Sequence, residues 1–181
     1  MLAATTIAPT LATTLATIVN IAGLAAFLVL SVWLAVVDWR EHRLPNKLVA
    51  AAAICALTCH FCQTALWAFS ANGPDLTPLI RSIVTAAACF ALYLLLHLVS
   101  RTKNSAGMGA GDVKLAAVLG LYLGWISVDT AIFGIASGFA LGAVYSLVVI
   151  ALKRAHRSSH VAFGPWMLAG AWLAIALAYL A

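Results

Sequence analysis

Six apolar runs, separated by short polar segments, set what this chain can fold into. They fall at roughly 17–37, 47–68, 79–100, 112–127, 130–152 and 162–180. A transmembrane helix needs about 20 predominantly apolar residues, so each run is a candidate span, the fourth being the shortest. Composition removes the soluble alternatives. Only 8% of the residues are charged and 65% are hydrophobic, whereas an average soluble domain carries about 25% charge. Polar side chains this scarce cannot cover a globule, which excludes a soluble enzyme or a DNA-binding protein. The same hydrophobicity excludes a disordered chain. The sequence therefore predicts an all-α, polytopic membrane protein: a bundle of six transmembrane helices in a single domain over residues 1–181, with the lipid bilayer as its solvent.

Basic residues orient the bundle. Arg40, Arg43, Lys47, Arg101, Lys103, Lys114, Lys153, Arg154 and Arg157 lie in or beside the first, third and fifth connections, and only Arg81 lies on the other side. Lys and Arg accumulate on the cytoplasmic side. The odd connections are therefore expected in the cytoplasm and both termini outside. The net charge of +5 reads as this topological bias, with no nucleic acid as partner. Residues 1–15 contain no Lys or Arg, so the first run reads as a retained span, because a cleavable signal has a basic start.

Small residues give the packing. Gly134, Gly138 and Gly142, and likewise Gly120 and Gly124, recur every four residues, a spacing that lets helix backbones approach. Trp39, Trp67, Trp125 and Trp166 fall near span ends, as interfacial anchors do. Cys59-His60-Phe61-Cys62 has the look of a metal motif. It sits inside an apolar span with Cys55 one turn earlier, and has no second ligand pair. Packing cysteines and an interhelical polar His, with His97 similar, are the better reading, and no metal is expected. The four cysteines, Cys55, Cys59, Cys62 and Cys89, all lie in apolar runs and form no disulfide framework.

Ionisable groups in or beside a membrane are costly and often functional. Asp75 and Asp129 stand beside outer turns, and Glu41 among Arg40, His42 and Arg43; these read as solvated charges. Asp38 and Asp112 are different. Asp38 closes the first span and Asp112 opens the fourth. The first helix arrives at the cytoplasmic face and the fourth departs from it, so the two carboxylates share one depth. That is the arrangement needed to activate water: an ionised carboxylate takes its proton while a protonated one polarises the substrate carbonyl. Two unrelated helix caps would share a depth equally well. Helix dipoles favour negative charge at a helix start and not at its end, which assigns Asp112 as base and Asp38 as acid if the first helix stops at Asp38.

The residues before Asp112 add weight. Gly107, Gly109 and Gly111 alternate along the chain, and glycine allows both unusual backbone angles and close approach. A segment of this kind can admit an extended peptide. A phosphate-binding loop would require Gly-Lys-Ser/Thr at the helix start, and Asp follows the last glycine here. Lys114 is a candidate for orienting this loop or for touching a lipid phosphate. Pro45 and Asn46 read as the turn into the second span, and Phe163-Gly164-Pro165 as the start of the last.

These motifs have a family resemblance. Asp38, its following Trp39-Arg40-Glu41-His42-Arg43 and then Leu44-Pro45-Asn46 resemble the first catalytic motif of the type IV prepilin leader peptidases, with Leu44 where Ile is more usual. Gly109-Ala110-Gly111-Asp112 resembles the second motif, the Gly-x-Gly-Asp of intramembrane aspartyl proteases, and the run from Gly107 to Leu115 resembles its extended form. Phe163-Gly164-Pro165 is similar to a Phe-Gly-Pro that opens the family's last span. The resemblance covers about residues 30–180. Presenilin-like and signal-peptide-peptidase-like enzymes share the second motif. They typically have Tyr before the first Asp and more spans, whereas Val37 precedes Asp38 here.

The resemblance implies an aspartic-type endopeptidase of the bacterial cytoplasmic (inner) membrane. Its site would lie at the cytoplasmic face, with Asp38 and Asp112 catalytic and no cofactor. Gly107, Gly109, Gly111 and Lys114 are implied on the substrate side, and Pro45, Asn46, Gly164 and Pro165 in support. The implied substrate is a prepilin or pseudopilin with a short basic leader and a hydrophobic N-terminal helix. Longer family members also methylate the new N-terminus through an added region with a cytoplasmic cysteine cluster. This chain resembles the short, peptidase-only branch that serves tight-adherence (Flp-type) pili. The rival reading is non-catalytic: a transporter subunit or a pilus-assembly scaffold.

Overall fold

The computed structural model of the chain describes residues 2–41, 43–70, 73–102, 109–152 and 162–180. Among them lie six helices and no strand: α1 (Leu2–Glu41), α2 (Asn46–Trp67), α3 (Thr77–Thr102), α4 (Ala110–Ile126), α5 (Val128–Ala151) and α6 (Gly164–Leu180). Four stretches are long and apolar enough to cross a membrane, namely Thr10–Glu41, Asn46–Trp67, Thr77–Ser100 and Val128–Ala151; α6 is a shorter apolar helix. The chain is an all-α polytopic membrane protein.

Five of the helices begin and end within two residues of the apolar runs, and α1 does not. It starts at Leu2 and continues to Glu41, past Asp38 and far before residue 17. Its 40 residues, at about 1.5 Å rise each, make a rod of about 60 Å, twice the thickness of the hydrocarbon core. In its threonine-rich first half the hydroxyls of Thr13 and Thr14 donate to the Thr10 carbonyl and that of Thr17 to the Thr13 carbonyl. Bonds of this kind satisfy the polar groups inside the helix itself.

Helices adjacent in the chain pack as pairs, α1 with α2, α3 with α4 and α5 with α6, and α4 also touches α2, α5 and α6. Twelve of its seventeen residues are buried, and a helix apolar all round belongs in a protein interior. At the centre Phe27 of α1 stacks on Tyr122 of α4, with ring centroids 3.9 Å apart, and on Trp172 of α6 at 5.3 Å. Large apolar side chains of α1, α3 and α5, such as Val29, Leu95 and Leu147, remain exposed, as lipid-facing surfaces require.

The repeated glycines mark where backbones meet. A Cβ on Gly124 would lie 2.6 Å from the Thr85 Cβ, where the threonine side chain packs against the bare helix, and one on Gly120 would lie 2.6 Å from the Ala86 Cα, so the α3 and α4 backbones touch there. Gly138 and Gly170 join α5 to α6 in the same way. Without a hydrophobic drive between helices in lipid, such van der Waals contact holds the pairs together.

Two residues depart from their expected surface roles. Trp125 is buried, not an interfacial anchor: its ring stacks on His60, 4.2 Å away, and on Trp67 at 5.6 Å. Arg81 is not a loop charge. It lies on α3 and donates to the carbonyls of Gly124 (2.7 Å), Trp125 and Ile126 (2.8 Å), which closes the C-terminus of α4. Orphan carbonyls at a helix end need such donors when buried. Ser127 then starts α5 at once, its hydroxyl accepting from the Thr130 N–H at 2.9 Å. In the second connection Gly73 takes a left-handed backbone, φ 75°. There the hydroxyl and amide of Thr77 hold the exposed Asp75 carboxyl below its ordinary range.

Candidate active site

Asp38 sits in the last turn of α1 and is 5% exposed. Its Oδ2 accepts a hydrogen bond from the Gly164 N–H at 3.1 Å. Gly164 is the first residue of α6, so Asp38 occupies the N-terminus of a helix that follows it by more than a hundred residues. A Cβ there would lie 2.7 Å from the same carboxylate oxygen, so any other residue would displace the carboxylate. Pro165, one position on, fits a first helical turn, where its missing N–H costs nothing.

Asp112 lies in the first turn of α4 and is 7% exposed. Its Oδ2 accepts from the Gly109 N–H at 3.2 Å while its own N–H donates to the Gly109 carbonyl at 3.1 Å. The side chain thus folds back on the start of its own helix, the reciprocal half of a capping box. The two acids are near enough to each other to interact electrostatically.

Leu44 joins the two halves. A Cβ on Gly111 would lie 2.9 Å from the Leu44 Cβ, and one on Gly164 would lie 3.6 Å from the Leu44 Cδ1. One side chain from the first connection therefore packs against the neighbour of Asp112 and against the partner of Asp38. Pro45 caps α2 with an extended backbone and accepts from the Leu48 and Val49 N–H groups. Asn46 Oδ1 accepts from Lys114 Nζ at 2.8 Å. The Leu44-Pro45-Asn46 triplet and the segment around Asp112 are thus bound to each other directly. Lys114 spends its charge on an amide, not on either acid.

The glycines act differently from what their spacing suggests. Gly109 has an ordinary extended backbone, φ −66° and ψ 146°, and Gly111 is helical. Neither uses a left-handed angle; at Gly111 the absent Cβ is what matters. Gly107 lies outside the described residues, as do His42, Lys103, Lys153, Arg154, His156, Arg157 and His160. The helix-dipole assignment of base and acid also falls. α1 continues past Asp38, and both carboxylates face a helix N-terminus, so the dipoles treat them alike.

Within the cysteine and histidine run, Cys59 and His60 pack between helices, whereas Cys62 is exposed. His60 is 3% exposed, its Nδ1 lies 3.2 Å from the Ser82 Oγ, and Ser82 Oγ donates to the Leu121 carbonyl. Cys59 packs against Gly23 of α1. Beside them is a polar junction of three helices that individual residues did not signal: Asn20 of α1 donates to the Gln63 side chain of α2 at 3.0 Å and accepts from the Tyr179 hydroxyl of α6 at 3.1 Å. The roles of Leu44 as a link between the acids' surroundings and of Arg81 as a cap were not legible in the sequence, because their partners are distant along the chain.

Fold and site together define a polytopic helical membrane protein with two buried carboxylates, from α1 and α4, converging at one end of the bundle. A sequence model of the type IV leader peptidase family matches residues 24–147, so the chain belongs to that family. Among curated relatives, a prepilin leader peptidase/N-methyltransferase of Aeromonas salmonicida is 35% identical over 69 residues, 38% of this chain and 23% of the relative. Proteins of the same description from Stutzerimonas stutzeri (32% over 94 residues; 52% and 30%) and Neisseria gonorrhoeae (31% over 97 residues; 53% and 32%) are also similar. The matched segments span less than a third of these relatives. No solved structure matches the chain.

Proposed function

We propose that this chain is a membrane-embedded aspartyl endopeptidase that removes the short basic leader of prepilins or pseudopilins at the cytoplasmic face of the cytoplasmic membrane, without N-methylation. One observation carries the reading. Two buried carboxylates from separate helices, each anchored by a backbone N–H, stand at one end of the bundle with Leu44 packed against the residues beside both. The chemistry needs one of the pair ionised and the other protonated. The ionised carboxylate accepts a proton from water as its oxygen attacks the scissile carbonyl. The protonated one donates to that carbonyl oxygen, and the resulting tetrahedral intermediate breaks its C–N bond as the amine takes a proton back. No covalent intermediate and no metal enters.

The bilayer supplies the geometry of the substrate. An apolar helix lies laterally in lipid, and its basic leader stays in the cytoplasm. The bond between them then emerges at the depth of Asp38 and Asp112. The excess of Lys and Arg in the odd connections supports this orientation. A transporter usually holds its ionisable groups near the bilayer midplane; the acids here belong to helix ends, which disfavours the non-catalytic rival.

Reconstituted protein should cleave a prepilin added in liposomes, seen as a gel shift with a new N-terminus by sequencing. Asp38→Asn and Asp112→Asn should each insert normally and lose cleavage by at least about 1,000-fold, the scale of removing a member of an acid–base pair. Full activity in either variant would end the proposal.

A further inference from the structure

Building on the peptidase reading, we propose that Tyr93 is a third catalytic group, its hydroxyl donating a hydrogen bond to the oxygen of the scissile carbonyl as the tetrahedral intermediate forms. The register of α3 against α4 places it there. These helices run antiparallel and are locked where Ala86 meets Gly120 and Thr85 meets Gly124. Two turns along α3 from Ala86, about 10 Å, is Tyr93. Two turns back along α4 from Gly120 is Val113, the neighbour of Asp112. Tyr93 therefore stands at the depth of the acids, on the face of α3 turned toward α4. It is 1% exposed and among the largest fully buried side chains.

Its ring is fixed from the other side. Tyr93 stacks on Phe139 of α5 with centroids 5.3 Å apart, and Phe139 packs on Phe163 at 5.3 Å. Phe163 adjoins Gly164, the residue bound to Asp38. A series of three rings thus runs from the Asp112 side of the pair to the Asp38 side. A buried phenol keeps its hydroxyl as a donor, and a carbonyl entering at the depth of the acids is an acceptor for it. The chemistry selects a phenol as well. A Lys or Arg beside the acids would pair with the negative charge they share, whereas a tyrosine stays neutral across the working pH range and still donates. The charge of Asp112 reaches Tyr93, so the hydroxyl belongs to the same electrostatic site. The ionisable groups that act on it are Cys89, one turn back along α3, and Asp112 of α4.

Tyr93→Phe removes the hydroxyl and keeps the ring stack. With a peptide carrying a basic leader and an apolar helix, presented in liposomes, kcat should fall about 10- to 100-fold with KM within about twofold, the signature of a contact made only in the transition state. The thermal midpoint in detergent should stay near that of the wild type. Replacing Tyr93 with fluorotyrosines of rising acidity should change kcat in step with phenol acidity, which a packing role would not do. A Tyr93→Phe enzyme within threefold of wild-type kcat, or a rate blind to fluorination, overturns the proposal. Asp112→Asn in the same assay separates the two claims. If it is inactive while Tyr93→Phe is fully active, only the role of Tyr93 falls; if it cleaves, the peptidase reading falls.

Discussion

Asp38 and Asp112 come from opposite ends of their helices, yet each carboxylate rests on a helix N-terminus, Asp38 on α6 and Asp112 on its own α4. Buried carboxylates need such donors, and a backbone N–H cannot rotate away. The glycines that make room for this arrangement are therefore specific. Gly164→Ala should drive a methyl into the Asp38 carboxylate and lower cleavage more than about tenfold, the effect expected of a displaced catalytic group. Gly111→Ala should meet the Leu44 Cβ, 2.9 Å from where its methyl would stand. Because the clash is with Cβ, Leu44→Gly should restore activity to Gly111→Ala, and Leu44→Ala should not; initial rates of the double variants decide it. The glycine pattern was readable as a sign of tight geometry. Its cause, a leucine from another connection, was not.

At the scale of elements, the helix pairs depend on backbone contact, and the innermost helix depends on Arg81. Three carbonyls at the end of α4 are closed by one guanidinium, whose planar fork reaches several acceptors where an ammonium reaches as a point charge. Arg81→Ala should lower stability by about 1–3 kcal/mol, the penalty for leaving such groups unpaired, with Arg81→Lys between it and wild type. Unfolding in mixed micelles followed by circular dichroism measures both. Gly120→Ala should cost a similar amount, about 1–3 kcal/mol for overpacking a tight interface, because its methyl would meet the α3 backbone itself. The glycine spacing announced that interface in advance. Arg81 gave no such signal: a charge counted in a loop reads as topology, and only the approach of α3 to α4 turns it into a cap.

At the scale of the molecule, orientation is the property on which function rests. Single cysteines placed at Glu41 and at Asp75 in a variant lacking the four native cysteines should label from opposite sides of the membrane, Glu41 only after the cytoplasm is opened to a membrane-impermeant maleimide. The opposite pattern would put the acids on the wrong side for a cytoplasmic leader. The chain's own sequence determined that the solvent is lipid, that apolar runs become helices, and which two acids stand at matched helix ends. Those follow from hydropathy, charge and spacing, which act locally and need no partner. Tertiary structure alone decided that α1 runs on through Glu41, that Trp125 turns inward to His60, that Arg81 caps α4, and that Leu44 and Gly164 hold the two acids' surroundings together. Each of these depends on a contact between residues far apart in the chain, and such contacts exist only once the helices have chosen their neighbours.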